Sequence, residues 1–177
     1  MLVTQSCIVA DPPQYRDALR TRPLLDTYKA LPPTQQVLVV HTDDPNAVKV
    51  SVPVRSEDAG EYLAGRLFLD YQVQPGPGTA GELLIRPFRI PPSTYDDSSR
   101  SADALWTPRP LTSPGCHILT LVVAHESTFI GADQNRLDPA KAGDDAAIIN
   151  WWVNVDPTTD LIHTLVNCPV SGGMSGQ

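Results

Sequence analysis

The stretch CHILTLVVAH, residues 116–125, decides the fold. Ile118, Val122 and Ala124 fall on one side of an extended chain, and Leu119, Leu121 and Val123 fall on the other. Side chains alternate across a strand, so a run apolar at both parities needs cover on both faces. Its β-branching and length favour a strand over a helix. The partner is AAIINWWVNV, residues 146–155, with Ile149, Trp151, Val153 and Val155 on one face and Asn150, Trp152 and Asn154 on the other. This spacing predicts a half-buried strand beside a central one.

Working outward, the same period of two recurs. Residues 36–41 (QVLVVH) form a compact β-branched run, and residues 47–55 (AVKVSVPVR) place Val48, Val50, Val52 and Val54 on one side. Pro53 has no N–H for a ladder, so a free side or a bulge is expected there. Residues 62–73 (YLAGRLFLDYQV) read as the next strand, with a bulge at Gly65, and residues 82–90 (ELLIRPFRI) as another, interrupted by Pro87. Residues 74–81 read as a loop and 91–110 as a long irregular stretch, in which Tyr95 and Trp106 could pin the chain down. Short strands with turn signals between them, and no long amphipathic helix, indicate an all-β sandwich or barrel.

The last two strands, with the Pro114–Gly115 turn leading into them, resemble the closing hairpin of an immunoglobulin-like sandwich. The segment VSVPVRSEDAGEYLAGRLFLDY resembles the B–C pair of such a domain. The resemblance implies an immunoglobulin-like antiparallel β-sandwich over residues 36–156, preceded by a Pro-rich tether (1–35) and followed by a tail (157–177). The Cys…Trp…Cys spacing of antibody domains is missing, so the kinship is architectural.

Length and composition agree with one domain. The chain has 177 residues, 41% of them hydrophobic, and a net charge of −7. Thirteen Lys and Arg against twenty Asp and Glu disfavour nucleic acid, whose binding depends on clustered cations. Eighteen prolines argue against a helical bundle.

The N-terminal MLVTQSCIVADPP resembles the end of a bacterial lipoprotein signal, in which a short apolar stretch and a small residue precede the cysteine that receives the lipid. Thr4, Gln5 and Ser6 stand where that family has Leu followed by small residues. Two readings stay open: the basic and apolar parts of a signal precede this sequence, or Met1 is the start of a cytosolic protein and Cys7 is incidental. The first implies lipidation at Cys7, and Ile8 after it implies the outer membrane. Three cysteines are present. With Cys7 lipidated, Cys116 and Cys168 would remain to pair, a link worth about 4 kcal/mol in the chain-entropy model. The cytosolic reading leaves three reduced thiols.

Sites of chemistry are sparse. His125 and Glu126 open HESTF, which lacks the second His of a helical zinc motif. His41, His117 and His163 are scattered and read as surface or edge residues, Ser175 lies in a Gly-rich tail, and GxSxG, Walker and GxGxxG patterns are missing. The unusual feature is the connection 126–145, far longer than the roughly 2–5 residues of a hairpin loop. Asp133, Asn135, Asp138, Asp144 and Asp145 supply oxygen donors that could suit calcium, but Arg136 and Leu137 break the EF-hand pattern. A solvated acidic binding loop, with neither metal nor cofactor, is the expectation. Trp151 and Trp152 face opposite ways; Trp151 is expected in the core, and Trp152 under a terminal segment or exposed as a contact.

These readings converge on a non-enzymatic envelope protein that binds protein partners as a subunit of a larger assembly, touching the membrane only through its lipid. The runner-up is a carbohydrate-binding or accessory domain of a hydrolytic system, with Trp152 or Trp106 as sugar platform. A cytosolic structural protein is the third reading.

Overall fold

The computed structural model describes residues 21–58, 60–71, 82–93, 100–109, 112, 114–130, 136–137 and 145–157. Its strands are β1 (Leu24–Leu25), β2 (Leu38–Val40), β3 (Val48–Arg55), β4 (Leu63–Leu69), β5 (Glu82–Leu83), β6 (Phe88–Ile90), β7 (Arg100–Trp106), β8 (Gly115–His125), β9 (Phe129–Ile130), β10 (Arg136–Leu137) and β11 (Ala147–Val155). Two 3-10 turns, Thr27–Lys29 and Glu126–Thr128, interrupt them.

Two sheets form the sandwich. One has the order β1-β3-β7, and the other β2-β11-β8-β4-β5, with β6 also paired to β4. Neighbours are antiparallel except β2, which runs parallel to β11. As the sequence indicates, β8 is central: Trp151 opposes Leu119 on one side of it, and Leu67 opposes Leu121 on the other. Between the sheets lie Val50, Val52 and Val54 of β3, Ala102, Ala104 and Trp106 of β7, Leu63 and Leu67 of β4, Leu119, Leu121 and Val123 of β8, and Ile149, Trp151, Val153 and Val155 of β11.

The second face of β8 is covered by the chain that leaves it. Val122 and Ala124 pack with Ala64, Phe68, Phe129 and Ala146, and Leu137 and Ile148 lie against them. The β9-β10 ribbon thus folds back over the outer face of the larger sheet, burying both faces of β4 as well as of β8. Arg66, on that outer face, is buried with its guanidinium 4.3 Å from the centroid of the Phe129 ring and Nη1 donating to the Gly65 carbonyl. Burial holds the Arg66 pKa below its usual value, against the opposing pull of Glu126.

Three features depart from the sequence reading. Residues 100–106, read as irregular, are a strand with strict in–out alternation, which leaves Trp106 buried in the core. The alternation is carried by Ala102 and Ala104, whose weak strand propensity hides it. Residues 24–31, read as tether, form the edge of the smaller sheet. Leu24 and Leu25 pair with Arg55 and Val54, Leu31 bridges Ser51, and Ala30 enters the core. Here the Pro53 expectation is met in an unforeseen way. Its carbonyl accepts from the Asp26 N–H, and its missing donor faces this edge, where the chain loops out through Thr27–Lys29 before rejoining at Leu31. Gly65 sits within a regular ladder, pairing with Phe88 and Val123 without a bulge.

Candidate functional site

One end of the inter-sheet core is closed by polar groups. The inward alternation of β7 ends in Arg100, and that of β8 ends in His125, so the two sheets present a guanidinium and an imidazole to the same end. Both are buried. Across them runs the β3–β4 turn. Glu61 N–H donates to the Asp58 carbonyl at 3.1 Å, while Arg100 donates to the Asp58 carbonyl at 3.0 Å and the Glu61 carbonyl at 2.7 Å. Burial lowers the Arg100 pKa, and the Asp58 charge works the other way.

His125, which opens HESTF at the end of β8, is 1% exposed. Asp145, read as part of a solvated loop, is buried beside it. The Asp145 carboxylate takes His125 Nδ1 on one oxygen and the Thr128 hydroxyl on the other. Burial alone would raise the Asp145 pKa; the bonds from His125 and Thr128 outweigh it and hold the carboxyl below its ordinary range. An ionised carboxylate only accepts, so Nδ1 carries the hydrogen. The long 126–145 connection is therefore stapled at its stem, His125 and Thr128 at the start holding Asp145 at the end. No pattern in HESTF or GDDAA signalled this pairing, because it depends on the return of the chain after the loop.

His125 Nε2 points the other way. It lies 3.3 Å from Asp58 Oδ2 and 3.9 Å from Glu61 Oε2, yet makes no hydrogen bond. Asp58 Oδ2 instead accepts from the Thr21 N–H at 3.1 Å. An open cleft of about 610 Å³ lies over this group, lined by Gly60, Glu61, Tyr62, His125, Glu126, Ser127 and Phe129. Tyr62 is half exposed on its rim, with Arg89 against its ring and paired to Glu126 at 2.8 Å. The arrangement differs from a nucleophilic triad, in which the hydroxyl bonds the imidazole. Here the Thr128 hydroxyl bonds the carboxylate.

Two other histidines share a different device. Asp70 and Asp156 each follow a strand with positive φ, 53° and 45°. Each turns its carboxylate onto a backbone N–H, Ile118 at 2.9 Å and Thr42 at 2.9 Å, and onto a histidine, His117 at 2.6 Å and His41 at 3.6 Å. His41, Asp43 and Asp156 lie close enough to share a cation, but the Asp156 carboxylate is already occupied by the N–H and hydroxyl of Thr42.

Of the other residues singled out in the sequence, Trp152 is half buried on the outer face of β11, opposite Ile118. Trp106 is buried and cannot serve as a sugar platform. Cys116 is the second residue of β8, opposite Asn154. Cys7, Cys168, Tyr95, Asp133, Asn135, Asp138, Asp144, His163 and Ser175 lie outside the described residues.

No family model matches the chain, and no curated protein is similar to it in sequence. Among solved structures it is similar to the CARDB domain of a Pyrococcus furiosus protein in complex with di-metal ions, at 14% identity, 82% of this chain and 99% of that one covered, and a TM-score of 0.39. It is also similar to the complex of zinc 2-glycoprotein with prolactin-inducible protein from human seminal plasma, at 12% identity, 80% and 100% covered, and a TM-score of 0.37. The strand order carries the conclusion: the chain is an all-β, immunoglobulin-like sandwich.

Proposed function

We propose that the protein is a non-enzymatic binding module of the bacterial envelope, lipidated at Cys7, that docks a protein partner at the His125 end of the sandwich. The observation that carries this reading is the open cleft whose floor is fixed by the Asp145 staple and whose rim offers Tyr62, Arg89 and Glu126. A rigid base with an aromatic and a charged pair at its edge suits recognition, since Tyr and Arg are enriched where interfaces concentrate their energy. Pairing of Cys116 with Cys168 belongs to the same reading, because an exported chain with one lipidated cysteine leaves two to join.

The test places a photo-crosslinking amino acid at Tyr62, or at the exposed Tyr28 in the Thr27–Lys29 turn beside the smaller sheet, in protein expressed from the full upstream reading frame. A discrete envelope adduct from position 62 and none from position 28 is the expected result. Equal adducts from both, or none from either, would overturn the docking surface. Intact mass with and without reductant reports lipid at Cys7 and the state of Cys116 and Cys168.

A further inference from the structure

We infer that the His125 imidazole is a proton-operated clasp, closed when Nε2 presents a hydrogen to Asp58 and opened when that hydrogen is lost. The clasp sits at the floor of the proposed docking cleft but does not rest on that role, and it is tested without any partner.

The two ring nitrogens have unequal tasks. Nδ1 is committed to Asp145, whose other oxygen takes the Thr128 hydroxyl, so this side of the ring keeps its hydrogen in both charge states. Nε2 is buried and makes no hydrogen bond, with Asp58 Oδ2 at 3.3 Å and Glu61 Oε2 at 3.9 Å. In the neutral ring Nε2 is a lone pair turned toward carboxylate oxygens, an acceptor facing acceptors. A buried polar atom left unmatched in this way costs free energy. Adding a proton turns the same contact into a charge-assisted pair, and burial strengthens the gain. Histidine is the side chain whose ordinary titration falls in the physiological range.

Three carboxylates surround the ring. Asp145 faces it from the end of the long connection, and Asp58 and Glu61 face it from the β3–β4 turn. Glu126, next in the chain, is paired to Arg89 on the rim. The guanidinium at this end, Arg100, donates to the Asp58 and Glu61 carbonyls and holds the backbone of the turn whatever the charge of the ring. What the proton governs is therefore the Asp58 side chain. Its Oδ2 also accepts from the Thr21 N–H at 3.1 Å and from the Thr21 hydroxyl at 3.4 Å. Protonated His125 thus ties together the end of β8, the turn and the segment that leads into β1. The neutral ring releases Asp58, and the Thr21 anchor loosens with it. The clasp is closed at low pH and opens as pH rises.

The experiment follows the full chain by NMR from about pH 5 to about pH 10, reading the His125 ring nitrogens and the Thr21 amide. Both are expected to change with one shared midpoint, Nε2 losing its hydrogen while Nδ1 keeps its own. Thr21 amide protection, taken relative to free-chain exchange at each pH, falls roughly tenfold across the transition. Asp58→Asn keeps the shape of the side chain and gives neutral Nε2 a donor, so Thr21 no longer responds. His41→Gln, at an exposed histidine, leaves the transition unchanged. A ring that does not titrate over this range, a Thr21 transition with a different midpoint, one that survives Asp58→Asn, or one that His41→Gln removes would each overturn the clasp.

Discussion

Trp151 Nε1 donates to the carbonyl of Pro32 at 2.7 Å, a bond that spans the chain from its N-terminal segment to its last described strand. The indole is buried between the sheets, where an N–H needs a partner, and the segment that follows Leu31 supplies it. Together with the Leu31–Ser51 bridge and Ala30 in the core, this bond makes residues 24–32 part of the sandwich.

Trp151→Phe removes that donor and part of the ring. A net hydrogen bond of about 1 kcal/mol and a cavity penalty of similar size or more imply a loss of about 2–3 kcal/mol in urea unfolding. Cleavage after Lys29 by trypsin is expected to accelerate as the segment loosens. Reduced stability with unchanged cleavage would confine the effect to the core.

At Asp70 the backbone and the side chain can be separated. The residue is left-handed, and its carboxylate holds Ile118 N–H and His117. Asp70→Gly and Asp70→Ala lose the carboxylate equally, but only alanine carries a Cβ into that conformation. The alanine variant is expected to be less stable by about 1 kcal/mol. Equal urea midpoints for the two would show that the turn relaxes.

The two halves of the molecule differed in how plainly the sequence displays them. β8 and β11 are written in β-branched and aromatic residues at the right parity, and their faces are where the alternation puts them. The apolar second face of β8 and the long loop after it were two separate oddities in the sequence; in space each accounts for the other, since Phe129 and Leu137 cover Val122 and Ala124. β7 was hidden because Ala102 and Ala104 are small. The site was hidden for a different reason. His125, Asp58, Glu61 and Asp145 come from three separate segments, and no local pattern records which turn will face which strand end.

Gly65 illustrates a close approach that only glycine allows. A Cβ there would meet three carbons of the Phe88 ring at 2.2, 2.5 and 2.7 Å, well inside contact distance. The ring lies over the β4 backbone and packs on the core. Gly65→Ala is expected to cost about 1–3 kcal/mol by overpacking. Adding Phe88→Leu should recover part of that loss, so the double variant is more stable than the sum of the singles implies. Strict additivity in denaturation would show that the ring simply swings clear.

The Asp145 staple has a pH signature whose sign can be worked out. Its folded pKa lies below the ordinary value because the bonds from His125 and Thr128 outweigh the burial that would raise it. Such a group contributes stability that is fully present above its unfolded pKa, about 3.9, and is lost as pH falls through the folded value. Asp145→Asn cannot titrate, and it replaces one charged acceptor with an amide. At pH 7 the variant is expected to be less stable by roughly 1–3 kcal/mol, the usual worth of a hydrogen bond to a charged group. As pH falls below about 3.9 the unfolded chain takes up this proton before the folded protein does, and the gap between the two proteins narrows until the lower folded value is passed. Asp103 and Asp156 also have lowered pKa values, but both are present in each protein, so they cancel in the difference. Urea midpoints at pH 7 and at pH 3 measure the gap directly. Curves that stay parallel across that range would show that the carboxylate charge contributes nothing to holding the 126–145 stem closed.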